Sequence, residues 1–277
     1  MNSWLQVLVL VGTSAAFAAP LESRSEEGTD GKEADGELTK TKEALEQAVD
    51  WYEILPEREA KDPLPPRVVL RWQNAVRTHT GAALMVIWTD HGRPDAMASI
   101  YRMADDIYHE IGSISRSNKL VARDQNGVVW SPARPGVEFR DLPDAPEPAD
   151  TPAARLRQMK SIAGRFTARL VPREGSSEIL RLLPRELYRY DLKALKGTDS
   201  PLEDGAVFAY AMGTDPEVVL LLELVKSDGR TAWQYAFARA TTGTVDASLG
   251  DEVVWSVPAA FGPNPAAQQT MLHRPMP

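Results

Sequence analysis

The tetrapeptide VVWS stands in "QNGVVWSP" (Gln125 to Pro132) and again in "GDEVVWSVP" (Gly250 to Pro258). Upstream of each copy lies a matching stretch. Gly81-Ala82 leads into "ALMVIWTDHGRPDAMASIYRM", and Gly205-Ala206 leads into "VFAYAMGTDPEVVLLLELVKS", each reading as a hairpin with proline at its turn. All these offsets fall at roughly 120–125 positions, the register expected of an internal repeat. Alternating Val and Trp before a proline is also ordinary strand-end chemistry, and antiparallel meanders resemble one another without common origin. The sequence therefore sets two readings side by side, a duplicated β architecture and a coincidence of two meanders.

Around these stretches the chain has an ordered layout. Residues 44–55, "ALEQAVDWYEIL", carry apolar side chains at three- and four-residue spacing and predict a short amphipathic helix. From Arg67 to Trp130, short runs rich in Val, Ile, Tyr and Trp alternate with turn residues, so 44–131 reads as a helix plus an antiparallel β region. The Pro-rich stretch 132–150 reads as a strap or interdomain linker. Thr151-Pro152 supplies an N-cap and a first-turn proline, which opens a helix predicted over 151–171 with Leu156, Met159, Ala163, Phe166 and Leu170 as its apolar stripe. A second antiparallel region runs to 258, and 259–277 reads as a disordered tail. The fold class expected is α+β, mainly antiparallel sheet, in one domain or two.

The N-terminal residues point to export. An apolar run from Trp4 to Val11 is followed by small residues ending in Ala16-Phe17-Ala18, the pattern cleaved by signal peptidase, so 1–18 is expected to be a signal peptide. No Lys or Arg precedes the run, which leaves an uncleaved anchor as the alternative, although so few apolar residues cannot span a hydrocarbon core of about 30 Å. Residues 19–43 form a polar leader expected to be disordered; within 21–43, eight acidic residues face four basic ones. With no cysteine in 277 residues, the chain fits a periplasmic or secreted bacterial protein stabilised by core burial rather than by disulfides. A net charge of −8 argues against nucleic acid as a partner. After signal cleavage no transmembrane segment is expected.

Catalytic motifs are sparse. There is no G-x-S-x-G, S-x-x-K or H-E-x-x-H, and no phosphate-cradling glycine loop, so no cofactor is expected. Of four histidines, His79, His91, His109 and His273, only His109 sits in a suggestive setting: "DDIYHE" gathers Asp105, Asp106 and Glu110 around it. A helix would align Asp105 with His109 as i, i+4 ligands, and a strand would place both on one face. The same cluster reads equally as a solvated polar edge beside Ile107 and Ile111. The basic residues of the 151–171 helix suit an acidic partner or plain solvation, and Trp72, Trp88, Trp130, Trp233 and Trp255 suit sugar stacking or core packing.

With "RWQN", "HGRPDAMASIYR", "GVVWSPARPGVEFRDLPDAPEPA", "ARLRQMKSIAGRF" and "RLLPRELYRY", residues 44–258 resemble a family of uncharacterised exported bacterial proteins. The resemblance implies export and a shared fold and carries no activity or site. The function expected is a non-catalytic binding or cell-envelope-associated module. The alternative is a periplasmic hydrolase, metal-assisted or not, centred on Asp105, Asp106, His109 and Glu110. A protein partner or a homo-oligomer fits either reading.

Overall fold

A computed structural model describes residues 27–73, 82–171, 176–196, 198, 200–227 and 229–277. One compact unit runs from Glu37 to Pro277; the unit before it, to Gly36, contributes helical residues from Glu27 onward. Both β regions thus belong to one body.

The first half contains α1 (Glu27–Ala48), β1 (Glu53–Leu55), β2 (Pro66–Trp72), β3 (Ala83–Asp90), β4 (Arg93–Met103), β5 (Asp106–Ser113), β6 (Val121–Asp124) and β7 (Gly127–Trp130). A short strand, β8 (Arg140–Asp141), follows. The second half contains α2 (Pro152–Ala163), β9 (Phe166–Val171), three short strands β10 (Glu178–Ile179), β11 (Arg181–Leu182) and β12 (Tyr188–Arg189), the turn of helix α3 (Leu192–Leu195), β13 (Leu202–Met212), β14 (Asp215–Ser227), β15 (Arg230–Arg239), β16 (Thr244–Leu249) and β17 (Glu252–Val257). β18 (Gln269–Pro275) comes last. Every pairing is antiparallel, as the sequence led us to expect.

The two halves repeat one topology. In the first, β2-β3-β4-β5 form a large sheet and β1-β6-β7 a small one; in the second, β12-β13-β14-β15 and β9-β16-β17 do the same. The irregularities repeat as well. The β6–β7 ladder pairs Ala122 with Trp130, slips, then pairs Arg123 with Val128, and the β16–β17 ladder pairs Ala247 with Trp255, slips, then pairs Ser248 with Val253. Each of these residues is displaced by 125 positions from its counterpart (122 to 247, 130 to 255). The VVWS copies therefore occupy equivalent strands. Bulges also recur where β3 and β13 approach their proline turns, before Thr89↔Pro94 and before Ala211↔Pro216. A bulge is a specific structural device rather than a by-product of strand composition, and its recurrence at matched positions favours the duplicated reading over coincidence.

The large sheets pack face to face. Met85, Ile87 and Met97 of one meet Val207, Val219 and Leu221 of the other. Their opposite faces are covered by the small sheets and helices: Leu45 and Ala48 of α1 with Trp130 on one side, Met159 and Ile162 of α2 with Val245 and Ala247 on the other. Strands buried on both faces explain why "ALMVIW" and "VVLLL" are unbroken apolar runs.

Four expectations are corrected. The helix read over 44–55 ends at Ala48, and Glu53–Leu55 at its close form strand β1. The second helix ends at Ala163, where Gly164 caps it, and Phe166–Val171 is strand β9, because the apolar stripe after that point follows a two-residue period. Helix α1 begins at Glu27, inside the stretch read as a disordered leader. Residues 269–275, read as disordered tail, add a full strand to β5. Among the described residues no helix is long and apolar enough to cross a membrane.

Candidate functional site

The "DDIYHE" cluster is taken apart by strand alternation. Ile107, His109 and Ile111 face the core under α1, whereas Asp106, Tyr108 and Glu110 face the other way. His109 is 1% exposed; its Nε2–H donates to Ala48 O at 2.9 Å, which leaves Nδ1 as the bare nitrogen, buried and unpaired among the described residues. Trp51 and Tyr52 pack against the ring, and burial, with Arg274 nearby, lowers its pKa from 6.5 to about 4. Asp105 lies exposed in the β4–β5 turn. Asp106 pairs with His273 Nδ1 at 3.0 Å, and Glu110 accepts from Tyr101 Oη at 2.7 Å. The four residues share no site, and among the described residues no group of three or more His, Asp or Glu side chains is placed to hold a metal ion. His91 sits in an exposed turn, and His79 lies outside the described residues.

Two buried carboxylates that local motif reading missed occupy ion clusters. Glu223, 0% exposed, accepts from Arg93 Nε and Tyr190 Oη, both at 3.0 Å, through one oxygen and from Arg116 Nε and Nη2 at 3.1 and 2.5 Å through the other. Arg93 also holds Asp95 at 2.5 Å, and Arg116 stacks its guanidinium 3.8 Å from the Phe139 ring centroid. Burial works against the Arg93 charge, but Glu223, Tyr190 and Asp95 outweigh it and push its pKa up. Asp204 is clamped by Arg155 Nε at 2.6 Å and by Arg189. Both clusters are closed. Glu223 ties the first half to the second, and Asp204 ties α2 to its sheet. In both, arginines meet the buried carboxylate directly, which ties elements together.

Part of the basic charge read on the 151–171 helix is spent internally as well. Arg155 takes Asp204, Lys160 takes Glu186 at 3.1 Å, and Arg165 donates to the carbonyls of Pro143 and Asp144. Trp72, Trp88, Trp130 and Trp233 are core residues. Trp255 alone among those five remains partly open, stacked on Phe237 with centroids 5.7 Å apart.

Trp255 marks a groove of about 800 Å³, within the range of ligand sites. One wall is Tyr235 to Arg239 on β15, the opposite wall is Val253 to Val257 on β17 with Pro258 after it, and the strap residues Arg134 to Glu138 close the side. The strap explains the opening. β8 pairs with β15 only at Gln234 and Tyr235, because the residues before it are drawn off toward the first half. Gly136 N–H and Val137 N–H donate to Ser115 O, and Phe139 lies beneath Arg116. Only glycine allows this approach, since a Cβ on residue 136 would stand 2.0 Å from Ser113 O. Arg134, Arg140 and Arg239 rim the groove with Glu138 beside them, and Glu110 lies near enough to act on the Arg239 charge. Arg140 Nη1, beside Tyr235, donates to Val254 O at 2.6 Å, and Arg239 donates to Pro258 O, so the walls are bridged near both ends. No histidine lines the groove among the described residues. It offers cations, strand backbone and one aromatic face.

No family model, no curated protein and no solved structure matches the chain.

Proposed function

We propose that this protein is an exported, non-catalytic binding module whose ligand surface is the groove between β15 and β17. The observation that carries the reading is that this groove interrupts an otherwise filled, duplicated architecture with three guanidinium groups, a partly open Trp255 and the exposed Val253. Exposed apolar surface rimmed by polar groups is characteristic of an interaction site. The N-terminal apolar run and the small residues ending at Ala18 support export.

Site-specific photo-crosslinking in the producing cell tests the groove. A benzoylphenylalanine at Val253 should yield a discrete crosslinked species, while the same group at Ile179, exposed on β10, should not. Equal yields at both positions, or none at Val253, would remove the groove as the ligand surface. A mature mass beginning near Ala19, read by native mass spectrometry of periplasm or medium, is the outcome expected for export.

A further inference from the structure

The two halves treat the outer edges of their large sheets differently. In the first half the edge of β5 is covered from Asp106 to Gly112 by β18, and the residues before β18 continue the contact. Ser113 N–H donates to Gln268 O at 2.8 Å, the Trp130 indole N–H to Ala267 O at 2.7 Å, Ser131 N–H to Pro265 O at 2.7 Å and Ala133 N–H to Ala266 O at 3.0 Å. The turn at 264–267 and the start of β18 thus fill the slot between β5 and the end of β7.

The corresponding slot of the second half is the groove. The halves match to the hydrogen bond at this point: Ile114 N–H donates to Asp95 O in one, and Ala240 N–H donates to Glu217 O in the other. Arg239 is then the counterpart of Ser113, and Phe237 of Ile111. Strand alternation turns the backbone of Trp233, Phe237 and Arg239 away from β14; Trp233 O already accepts from Leu142 N–H on that side. Trp255 is the counterpart of Trp130, and Ser256 of Ser131. Val254 O reaches Arg140 across the groove, so Ser256, two residues on, turns its backbone the same way. Among the described residues no acceptor meets the Arg239 N–H or the Trp255 indole N–H.

Resting on the binding reading above, we infer that the groove takes an extended segment of a partner polypeptide, added as a strand to β15 in the manner of β18 on β5. Its backbone carbonyls receive the Arg239 N–H and the Trp255 indole N–H, the two positions matched by Gln268 and Ala267 in the first half. The open edge from Ala236 to Arg239 is four residues, about 13 Å of strand. The seat opposite Phe237 takes a small side chain, because its counterpart Thr270 is 2% exposed against Ile111. The rim of Arg134, Arg140 and Arg239 selects flanking carboxylates. Main-chain pairing supplies affinity, and the rim with the small-residue seat supplies selectivity.

The test uses the full chain and a displayed library of random twelve-residue peptides. Enriched peptides should carry acidic residues around a small-residue core, and a synthetic copy should bind with measurable fluorescence anisotropy. N-methylation of alternate backbone amides should abolish binding in one register and spare it in the other, the signature of strand pairing. Trp255→Phe keeps the stack on Phe237 and removes the N–H, and should weaken binding about threefold to tenfold. Arg134→Glu should weaken acidic peptides and leave the far-ultraviolet spectrum unchanged. Failure to enrich any peptide, or binding indifferent to the methylation register, overturns strand addition. If Val253 still crosslinks in that case, the groove binds a ligand of another class and only this inference falls. Homodimers as the Val253 product would identify a second copy as occupant and overturn the partner segment.

Discussion

His109 makes the stability of this protein depend on pH in a calculable way. The unfolded chain protonates this imidazole near 6.5, whereas the folded one, buried against Ala48 O between Trp51 and Tyr52, resists protonation down to about 4. Between those values the unfolded state binds more protons, so stability rises with pH across the window and is lost as pH falls through it. At about 1.4 kcal/mol per pH unit, acidification from 7 to 5 should remove about 2 kcal/mol, and the full window about 3 kcal/mol. Asp95 contributes with the opposite sign, since burial foremost raises its pKa despite Arg93, and protonation therefore reaches the folded carboxyl first. The His109→Gln variant separates the two, because its amide N–H still reaches toward Ala48 O but does not titrate. Urea unfolding of both proteins at pH 7 and pH 5 is the assay. The pH-dependent loss should be larger in the wild type by about 2 kcal/mol; a difference under about 0.5 kcal/mol would refute the assigned burial of His109.

Glu223→Ala leaves Arg93, whose side chain is 13% exposed, with Asp95 as its remaining carboxylate and leaves the Tyr190 hydroxyl without its acceptor, so it should cost about 1–3 kcal/mol in urea unfolding. Arg116→Met, which removes a partner 45% exposed, should cost less than about 1 kcal/mol, and equal losses in the two variants would contradict the asymmetry of the cluster. Gly136→Ala drives a Cβ into Ser113 O and must displace the strap, costing about 1–3 kcal/mol and speeding amide exchange at Val137, whose N–H donates to Ser115 O. Unchanged exchange at Val137 would show that the strap is not held there.

What the sequence revealed and what it concealed divide along physical lines. The unbroken apolar runs, the proline turns and the repeated VVWS are local signals, and each maps onto a strand or turn of the duplicated sheets. The helix of 151–171 was legible at its start, where Thr151 accepts from Ala154 N–H, but its end was not. Met159 and Ala163 satisfy a helical period while Phe166, Ala168 and Leu170 satisfy a strand period, and one stripe of apolar letters hides the change. β18 was concealed because "QTMLHRP" has no strong β pattern of its own; it is a strand because β5 presents an edge to it. "DDIYHE" misled for a related reason. Neighbourhood in sequence became opposition across a sheet, and the carboxylates that are buried, Glu223 and Asp204, find their arginines at long range.

That dependence on distant partners also bears on why the halves form one body. A duplicated sheet unit has two outer edges to cover, and unpaired edges invite aggregation. Here each half is covered from the other: the chain leaving β7 supplies β8 to β15, and the chain leaving β17 supplies β18 to β5. The exchange makes neither half complete alone, and the Glu223 cluster locks the same junction with side chains from both. It is also unequal, seven residues against two, because Gly136 and Phe139 hold the strap to the first half. The open edge is thus a consequence of how the straps are anchored, and it lies where Arg134, Arg140, Arg239 and Trp255 converge. A stray uncovered edge would be guarded by charge pointing inward or by proline in the strand itself; this one is instead set at the base of a cationic groove, which restricts what can pair with it to segments that fit both the rim and the seat.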